Sequence, residues 1–148
     1  AYSKTLGGKQ VIEIISKAFQ EKPSLLIDLN ISIIASLCDI LKINTPVVRA
    51  SNLNVTGRRS DRLLSICRSL GADTYLSPPG SADYLEQDGF ERQSNIKLYF
   101  QEFKSTPYTQ FKAQDFVPYL SAIDLIAHLG PEAAYEYIRR STFDLSDN

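Results

Sequence analysis

The sequence of 148 residues is long enough for one domain with a hydrophobic core. Its 43% hydrophobic and 22% charged residues are ordinary values for a soluble globular protein. A formal net charge of −1 gives the chain no overall attraction to nucleic acid or to an anionic membrane surface. The sequence contains no apolar run of about 18 residues, so no membrane span is predicted.

The two cysteines and the one histidine are too few for a structural metal site. Cys38 and Cys67 each lie inside an apolar helical pattern. This favours free thiols in a reducing, cytoplasmic location over a disulfide between them. Cys67 has no histidine near it in sequence, so we interpret it as a core thiol and not as a nucleophile. For His128, which lies late in an apolar helix, we expect no carboxylate partner close in sequence. We favour stabilisation by the helix dipole over a catalytic role.

The first third of the chain predicts two helices. Apolar residues recur at intervals of three and four over residues 9–21, and Pro23 ends this pattern. A second apolar stripe runs through residues 25–42, with Ser24 as its expected N-cap. Each stripe is wide enough to pack one face of its helix into a core.

The middle of the chain alternates predicted strands and helices. Strands are predicted at residues 47–51, 73–77 and 96–103, where β-branched and aromatic residues cluster. Helices are predicted between them at residues 58–70 and 81–86. The alternation indicates an α/β fold, with a three-layer-like sheet of few, mostly parallel strands flanked by helices.

Arg58 and Arg62 form a candidate anion site at the start of the helix predicted from residue 58. They follow Gly57 and lie one helical turn apart, near backbone N–H groups that a helix start leaves unpaired. Guanidinium groups match the geometry of phosphate and carboxylate. An exposed basic face with Asp61 as its counter-charge explains the same spacing equally well.

A Pro/Gly-rich loop, Ser77-Pro78-Pro79-Gly80-Ser81, follows the strand predicted at residues 73–77. A glycine in such a loop lets the backbone approach a ligand closely, although the loop matches no known phosphate-binding motif and is otherwise a simple turn. Tyr84 lies one turn into the next helix. It could donate a hydrogen bond to a ligand, but a half-buried packing role is favoured.

A long aromatic loop at residues 104–118 precedes the last two helices. Loops of this length in compact domains are often functional. Tyr108 and Gln110 could line a pocket in this loop or simply anchor it, and the sequence favours neither interpretation.

The last two helices are predicted at residues 121–130 and 132–140, separated by a Gly-Pro break. Ser121 is the expected N-cap of the first helix. Asp124 at its third position suggests a variant of the capping box, and we favour this role over that of a catalytic base.

Three blocks of this sequence resemble the WbqC-like protein family: GRRSDRLLSICRSLGADTYLSPPGSADYL, FQEFKSTPYTQ and FVPYLSAIDLIAHLG. The resemblance covers residues 26–132. It implies an α/β protein of bacterial surface-polysaccharide biosynthesis, of the O-antigen or lipopolysaccharide type. It further implies a transferase that adds a small amino-acid or acyl group to a nucleotide-activated sugar. A non-catalytic ligand-binding or scaffold protein of the same pathway is the alternative.

The sequence departs from the family pattern in two places. Family members usually open with a segment like HQPxYxPWxGY, which is absent here, so we expect the C-terminal part of a longer protein. We expect one α/β domain, with a lead-in helix at residues 1–22, a core at residues 24–140 and a polar tail at residues 141–148. The family's SGPG-like loop reads SPPG here, and Pro78 removes one backbone donor, which leaves Gly80 and Ser81 as the better donors.

The resemblance implies a set of functional polar residues but does not say which are catalytic. The polar residues that match the family pattern are Ser51, Gly57, Arg58, Arg62, Ser77, Gly80, Tyr84, Gln101, Tyr108, Gln110, Ser121 and Asp124. The expected ligand-binding residues are Arg58, Arg62, Ser77, Gly80, Ser81, Tyr84, Tyr108 and Gln110. We expect a small molecule or nucleotide-sugar as the ligand, and neither a cofactor nor a metal.

Overall fold

The computed structural model describes residues 2–141. Within this range the contacts of the chain group into two compact units. Unit 1 comprises residues 2–45 and 104–141, and unit 2 comprises residues 46–103. The expectation of a single domain over the whole chain stays a prediction, and we describe each unit by itself.

Six α-helices and two β-strands form the regular structure of the described residues. Unit 1 contains α1 (Gly8–Gln20), α2 (Leu26–Ile40), α5 (Ala122–Leu129) and α6 (Pro131–Ser141), and unit 2 contains α3 (Arg59–Ser69), β1 (Thr74–Ser77), α4 (Ala82–Gln87) and β2 (Lys97–Phe100). Short 3₁₀ turns lie at Tyr2–Lys4, Ala50–Asn52, Pro79–Ser81 and Glu91–Gln93. All six helices were predicted, α4 from the signals of a helix start and the others mainly from apolar periodicity, with ends that agree to within about two residues.

Unit 1 is a helical unit around one apolar core. The buried core residues are Val11, Leu41, Leu125, Ile126, Ala127 and Ala134. Helix α5 contributes three consecutive residues to this core, so it is buried on more than one face. The chain enters α1 at close range to α5, where Gly7 N donates to Ala127 O at 2.9 Å. A Cβ atom at Gly7 would overlap the carbonyl oxygen of Ile126, which explains why a glycine stands there.

Unit 2 is built on a two-stranded parallel sheet. Strands β1 and β2 pair from Thr74 with Lys97 to Ser77 with Phe100, and α4 lies in the connection between them. One face of the sheet packs on a core from α3, α4 and the segment around them, consisting of Leu64, Cys67, Leu85, Phe90 and Ile96. On the other face Leu76 remains 49% exposed.

The α/β class with few parallel strands flanked by helices is confirmed. The strand predicted at residues 47–51 is wrong. Residues 46–49 have no regular structure, a 3₁₀ turn follows, and Val47 is 72% exposed. Within the described residues this apolar segment has no strand to pair with, and β-branched residues alone do not make a strand. Strand β2 ends at Phe100, three residues earlier than predicted, because its partner β1 ends at Ser77.

The N-cap of α2 is Leu25, and no side chain caps this helix, so the predicted capping role of Ser24 is wrong.

Between residues 2 and 141, no helix combines the length and the apolar character needed to cross a membrane.

Candidate functional site

The start of α3 in unit 2 has an unusual backbone. Gly57 has φ +95° and Arg59, the first residue of the helix, has φ +49°, a value that non-glycine residues rarely adopt. Arg58 is the N-cap with an extended backbone, and its side chain makes no capping hydrogen bond. Its carbonyl accepts hydrogen bonds from the backbone N–H groups of Asp61 and Arg62, at 3.1 and 3.4 Å. The helix therefore begins sharply after a turn that needs Gly57.

Asp88, which follows α4, caps the start of α3 through its side chain. Its carboxylate accepts hydrogen bonds from Arg59 Nε at 3.0 Å and from Ser60 Oγ at 2.8 Å. These two donors, Arg59 first, hold the pKa of Asp88 below its ordinary value. The contacts of Asp88 with Arg59 and Ser60 could not be predicted from the sequence, because they join residues 29 and 28 positions apart. An anion at this helix start is thus already supplied by the chain itself.

Arg58 and Arg62 remain available after Asp88 has taken its partners. Both side chains are exposed, and neither forms an ion pair or hydrogen bond with any residue from 2 to 141. Their helix neighbours differ, since Arg59 binds Asp88 and Arg68 donates to the carbonyl of Gln93 at 3.3 Å. The predicted counter-charge from Asp61 is therefore not seen. Unpaired guanidinium groups, one at the N-cap and one in the first turn of α3, can bind phosphate or carboxylate.

Ser77, at the end of β1, is a buried hydroxyl without a partner. The residue is 1% exposed, and Oγ has no hydrogen-bond partner within residues 2–141. Ser60 is equally buried, at 1% exposure, but donates to Asp88. A buried hydroxyl without a partner lowers the free energy of unfolding by about 1–3 kcal/mol. Such groups are rare in folded proteins, so Ser77 is a candidate for contact with a ligand.

The rest of the Pro/Gly loop offers less to a ligand than predicted. Ser81 N already donates to Pro78 O at 3.1 Å, so the expectation that Ser81 is a free backbone donor is wrong. Gly80 is exposed, and open space surrounds the position where a Cβ would lie. Tyr84 is partly buried, and the guanidinium carbon of Arg59 lies 5.5 Å from its ring centroid. This arrangement fits the packing interpretation of Tyr84, with a cation–π contact.

In unit 1, Asp124 is the centre of a buried polar network. The residue is 5% exposed, and its carboxylate accepts hydrogen bonds from Tyr2 Oη at 2.9 Å and from Tyr108 Oη at 2.6 Å. Gln110 Nε2 lies 3.5 Å from the same carboxylate, and His128 Nδ1 lies 3.4 Å from it. Every donor comes from the chain itself, so this carboxylate is satisfied without a ligand.

His128 connects this network to the long loop. Its Nε2 accepts a hydrogen bond from Phe111 N at 2.8 Å, which requires Nε2 to be unprotonated and places the proton of the neutral ring on Nδ1. Nδ1 in turn donates to the carbonyl of Asp124 at 2.8 Å. The prediction that His128 has no carboxylate partner is wrong. Asp124 lies four residues earlier on the same helix face, a spacing that was readable from the sequence.

Tyr108 and Gln110 therefore act as anchors of the loop from residue 104 to residue 120. Burial and, next, the hydrogen bond to Asp124 raise the pKa of Tyr108 to about 12. The Gln110 side chain forms two hydrogen bonds with the backbone of Val117: Oε1 accepts from Val117 N at 2.8 Å, and Nε2 donates to Val117 O at 2.9 Å. Of the two interpretations left open for these residues, their contacts fit loop anchoring.

Of the two capping roles predicted at the start of α5, the structure confirms that of Ser121 and contradicts that of Asp124. Ser121 is the N-cap of α5, where its Oγ accepts a hydrogen bond from Ile123 N at 3.2 Å, as predicted. The capping role predicted for Asp124 is wrong, because its carboxylate accepts hydrogen bonds from the hydroxyls of Tyr2 and Tyr108 instead. Burial, followed by the hydrogen bond to Asp124, also raises the pKa of Tyr2. Tyr2 lies 122 positions away in sequence, and no local pattern could have revealed this contact.

The structure divides the eight predicted ligand-binding residues between the two units. Unit 2 holds Arg58, Arg62, Ser77, Gly80, Ser81 and Tyr84, and unit 1 holds Tyr108 and Gln110. In the described part of the chain, no three histidine, cysteine or acidic side chains gather as metal ligands would. Cys38 and Cys67 are free, and burial raises the pKa of Cys67, which keeps it a protonated thiol.

Comparison with known proteins identifies one family. No curated protein and no solved structure matches this chain. The model of the WbqC-like protein family matches residues 1–136, a range that contains the residues 26–132 in which the resemblance was found. The chain therefore belongs to the WbqC-like protein family.

Proposed function

We propose that this protein acts in the biosynthesis of bacterial surface polysaccharide of the O-antigen, or lipopolysaccharide, type. In this proposal it binds a nucleotide-activated sugar in the cytoplasm and transfers a small amino-acid or acyl group to it. Membership of the WbqC-like family supports the pathway. The unpaired arginines at the start of α3 support the chemistry of the ligand, because the diphosphate of an activated sugar is an anion that guanidinium groups bind well.

The single observation that carries the proposal is the contrast among the arginines of the α3 region. Arg59 and Arg68 are engaged by the chain, whereas Arg58 and Arg62 have no partner among residues 2–141. Both guanidinium groups are exposed at the start of one helix and are therefore available to bind an anion. Ser77 is a second unpaired polar group in the same unit, and it ends a parallel strand, the end at which ligands of α/β proteins bind.

Calorimetric titration with UDP-N-acetylglucosamine, taken as a representative nucleotide-sugar, tests the binding step. Arg62→Glu should abolish measurable binding, because it reverses one of the two charges that face the diphosphate. Arg68→Glu is the matched control, since it changes the net charge equally at the other end of the same helix. Equal affinity in wild type and Arg62→Glu, or an equal loss of affinity in Arg62→Glu and Arg68→Glu, would contradict the assignment of the anion site to Arg58 and Arg62.

A non-catalytic ligand-binding or scaffold protein of the same pathway is the second candidate. It is favoured by the state of Asp124, the one carboxylate buried in the described residues, whose hydrogen bonds all come from the chain. No acid–base pair facing an open site is evident in residues 2–141. Both candidates bind the nucleotide-sugar, so only turnover separates them. Mass-spectrometric detection of a modified sugar supports the transferase, and binding without any product supports the scaffold.

A further inference from the structure

A groove in unit 1 lies beside α6 and shares one residue, Tyr108, with the Asp124 network. It has a volume of about 630 Å³, within the range of small-molecule sites. Loop residues 106–109 form one side and α6 forms the other. Leu129 and Ala133 supply apolar surface, and the rings of Tyr108 and Tyr137 supply aromatic surface.

The two tyrosines of this groove are held in place by the chain. Tyr137 Oη donates to Thr106 O and accepts from Thr106 N, both at 2.7 Å. Tyr108 Oη donates to the buried Asp124, and the two tyrosine rings meet edge to face with centroids 5.6 Å apart. A ligand entering the groove therefore meets preformed walls, which lowers the entropy lost on binding.

Two opposite charges face this groove from one helix. Ala133, Glu136, Tyr137 and Arg140 are spaced by three, four and seven positions from the first, so α6 presents them on one face. A glutamate four residues before an arginine is well placed for an ion pair within the helix. Yet Glu136 and Arg140 form no ion pair with each other or with any other residue from 2 to 141. The groove thus offers one cation and one anion beside an apolar surface.

We propose that this groove binds a small zwitterionic ligand with an apolar body, of which an apolar α-amino acid is the simplest example. Arg140 binds the carboxylate and Glu136 binds the ammonium group. The apolar body lies on Leu129 and Ala133, beside the two tyrosine rings. The inference stands on unit 1 alone, and its test uses no nucleotide-sugar, so it succeeds or fails separately from the proposed function.

An NMR titration of the ¹⁵N-labelled chain with L-phenylalanine tests this inference. The backbone amides of residues 106 and 108–109 and of α6 should shift. Phenylalaninamide, which lacks the carboxylate, and N-acetylphenylalanine, which lacks the ammonium group, should each bind about tenfold more weakly, because each loses one charge-assisted contact.

Matched variants locate the binding groups. Arg140→Ala and Glu136→Gln should each weaken L-phenylalanine binding about tenfold. Arg139→Ala is the control, because Arg139 is the adjacent arginine and lies 5.7 Å from the Tyr135 ring centroid, not in the groove. All these side chains are exposed, so the variants should fold. The inference is overturned by an absence of shifts, by equal binding of the three probes, or by equal effects of Arg139→Ala and Arg140→Ala.

Discussion

The Asp124 network of unit 1 and the α3 start of unit 2 are both rich in polar side chains. In the first these side chains bond one another, whereas in the second some remain unpaired. Around Asp124, a buried carboxylate receives two short hydrogen bonds from tyrosines, and His128 adds a third partner. At the α3 start, Asp88 is satisfied, while two arginines point to solvent unpaired. At the end of β1 in the same unit, the hydroxyl of Ser77 is buried without a partner.

This difference separates polar residues that stabilise the fold from those that remain available to a ligand. A network whose members satisfy one another adds stability and fixes a loop, but leaves no group free for chemistry. A buried group left unpaired, such as the Ser77 hydroxyl, lowers the stability of the chain, whereas exposed arginines are hydrated and remain available to an anion. We therefore expect substitutions around Asp124 to change stability, and substitutions of the unpaired groups at the α3 start to change binding.

The largest expected effect is that of Asp124→Asn. The change removes the charge that accepts from Tyr2 and Tyr108, and it should lower the free energy of unfolding of unit 1 by about 3 kcal/mol in urea titrations. Asp115→Asn is the control, because Asp115 is exposed, and it should change stability by less than about 0.5 kcal/mol. Equal stability of the two variants would mean that the network contributes nothing.

Alkaline pH should weaken the same network. The pKa of Tyr108 is raised from 10.0 to about 12, so the folded chain keeps a proton that the unfolded chain loses. Its contribution to stability is therefore full below pH 10 and is lost as the pH rises toward about 12. Tyr108→Phe should flatten this decline in urea unfolding, whereas Tyr135→Phe should not. An unchanged slope in Tyr108→Phe would contradict the assignment.

The two buried serines of unit 2 allow a direct comparison between a hydroxyl with a hydrogen-bond partner and one without, with smaller expected effects on stability. Ser60 and Ser77 are each 1% exposed, but only Ser60 Oγ has a partner. Ser60→Ala should cost about 1.5 kcal/mol, because it removes a hydrogen bond to a charged group. Ser77→Ala should be neutral or stabilise the unit by up to about 1 kcal/mol, because it removes an unsatisfied hydroxyl. Similar losses in both variants would show that Ser77 has a partner in solution.

The sequence predicted the elements whose signal is local. Apolar periodicity located the longer helices, since each of these segments repeats its apolar residues every three or four positions. The short helix α4 was predicted from the acidic residue in its first turn. The strand predicted at residues 47–51 failed because a strand exists only when another pairs with it, and Val47 and Val48 stay exposed.

The candidate sites were predicted only where spacing along one helix decides the contact. Arg58 and Arg62 share a helix start, and the pair of Asp124 with His128 could have been inferred in the same way. The contacts of Asp124 with Tyr2 and of Asp88 with Ser60 join distant segments, which no local pattern encodes. The burial of Ser77 without a partner also depends on tertiary packing.

One NMR titration tests the central claim most directly. UDP-N-acetylglucosamine added to the ¹⁵N-labelled chain should shift the backbone amides of residues 58–62 and 77 most strongly, and the Arg62→Glu chain should show no such shifts. The amides around Asp124 should stay unchanged in both. Shifts centred on the Asp124 network, or an unaltered response of Arg62→Glu, would contradict the assignment of ligand binding to the unpaired arginines of α3.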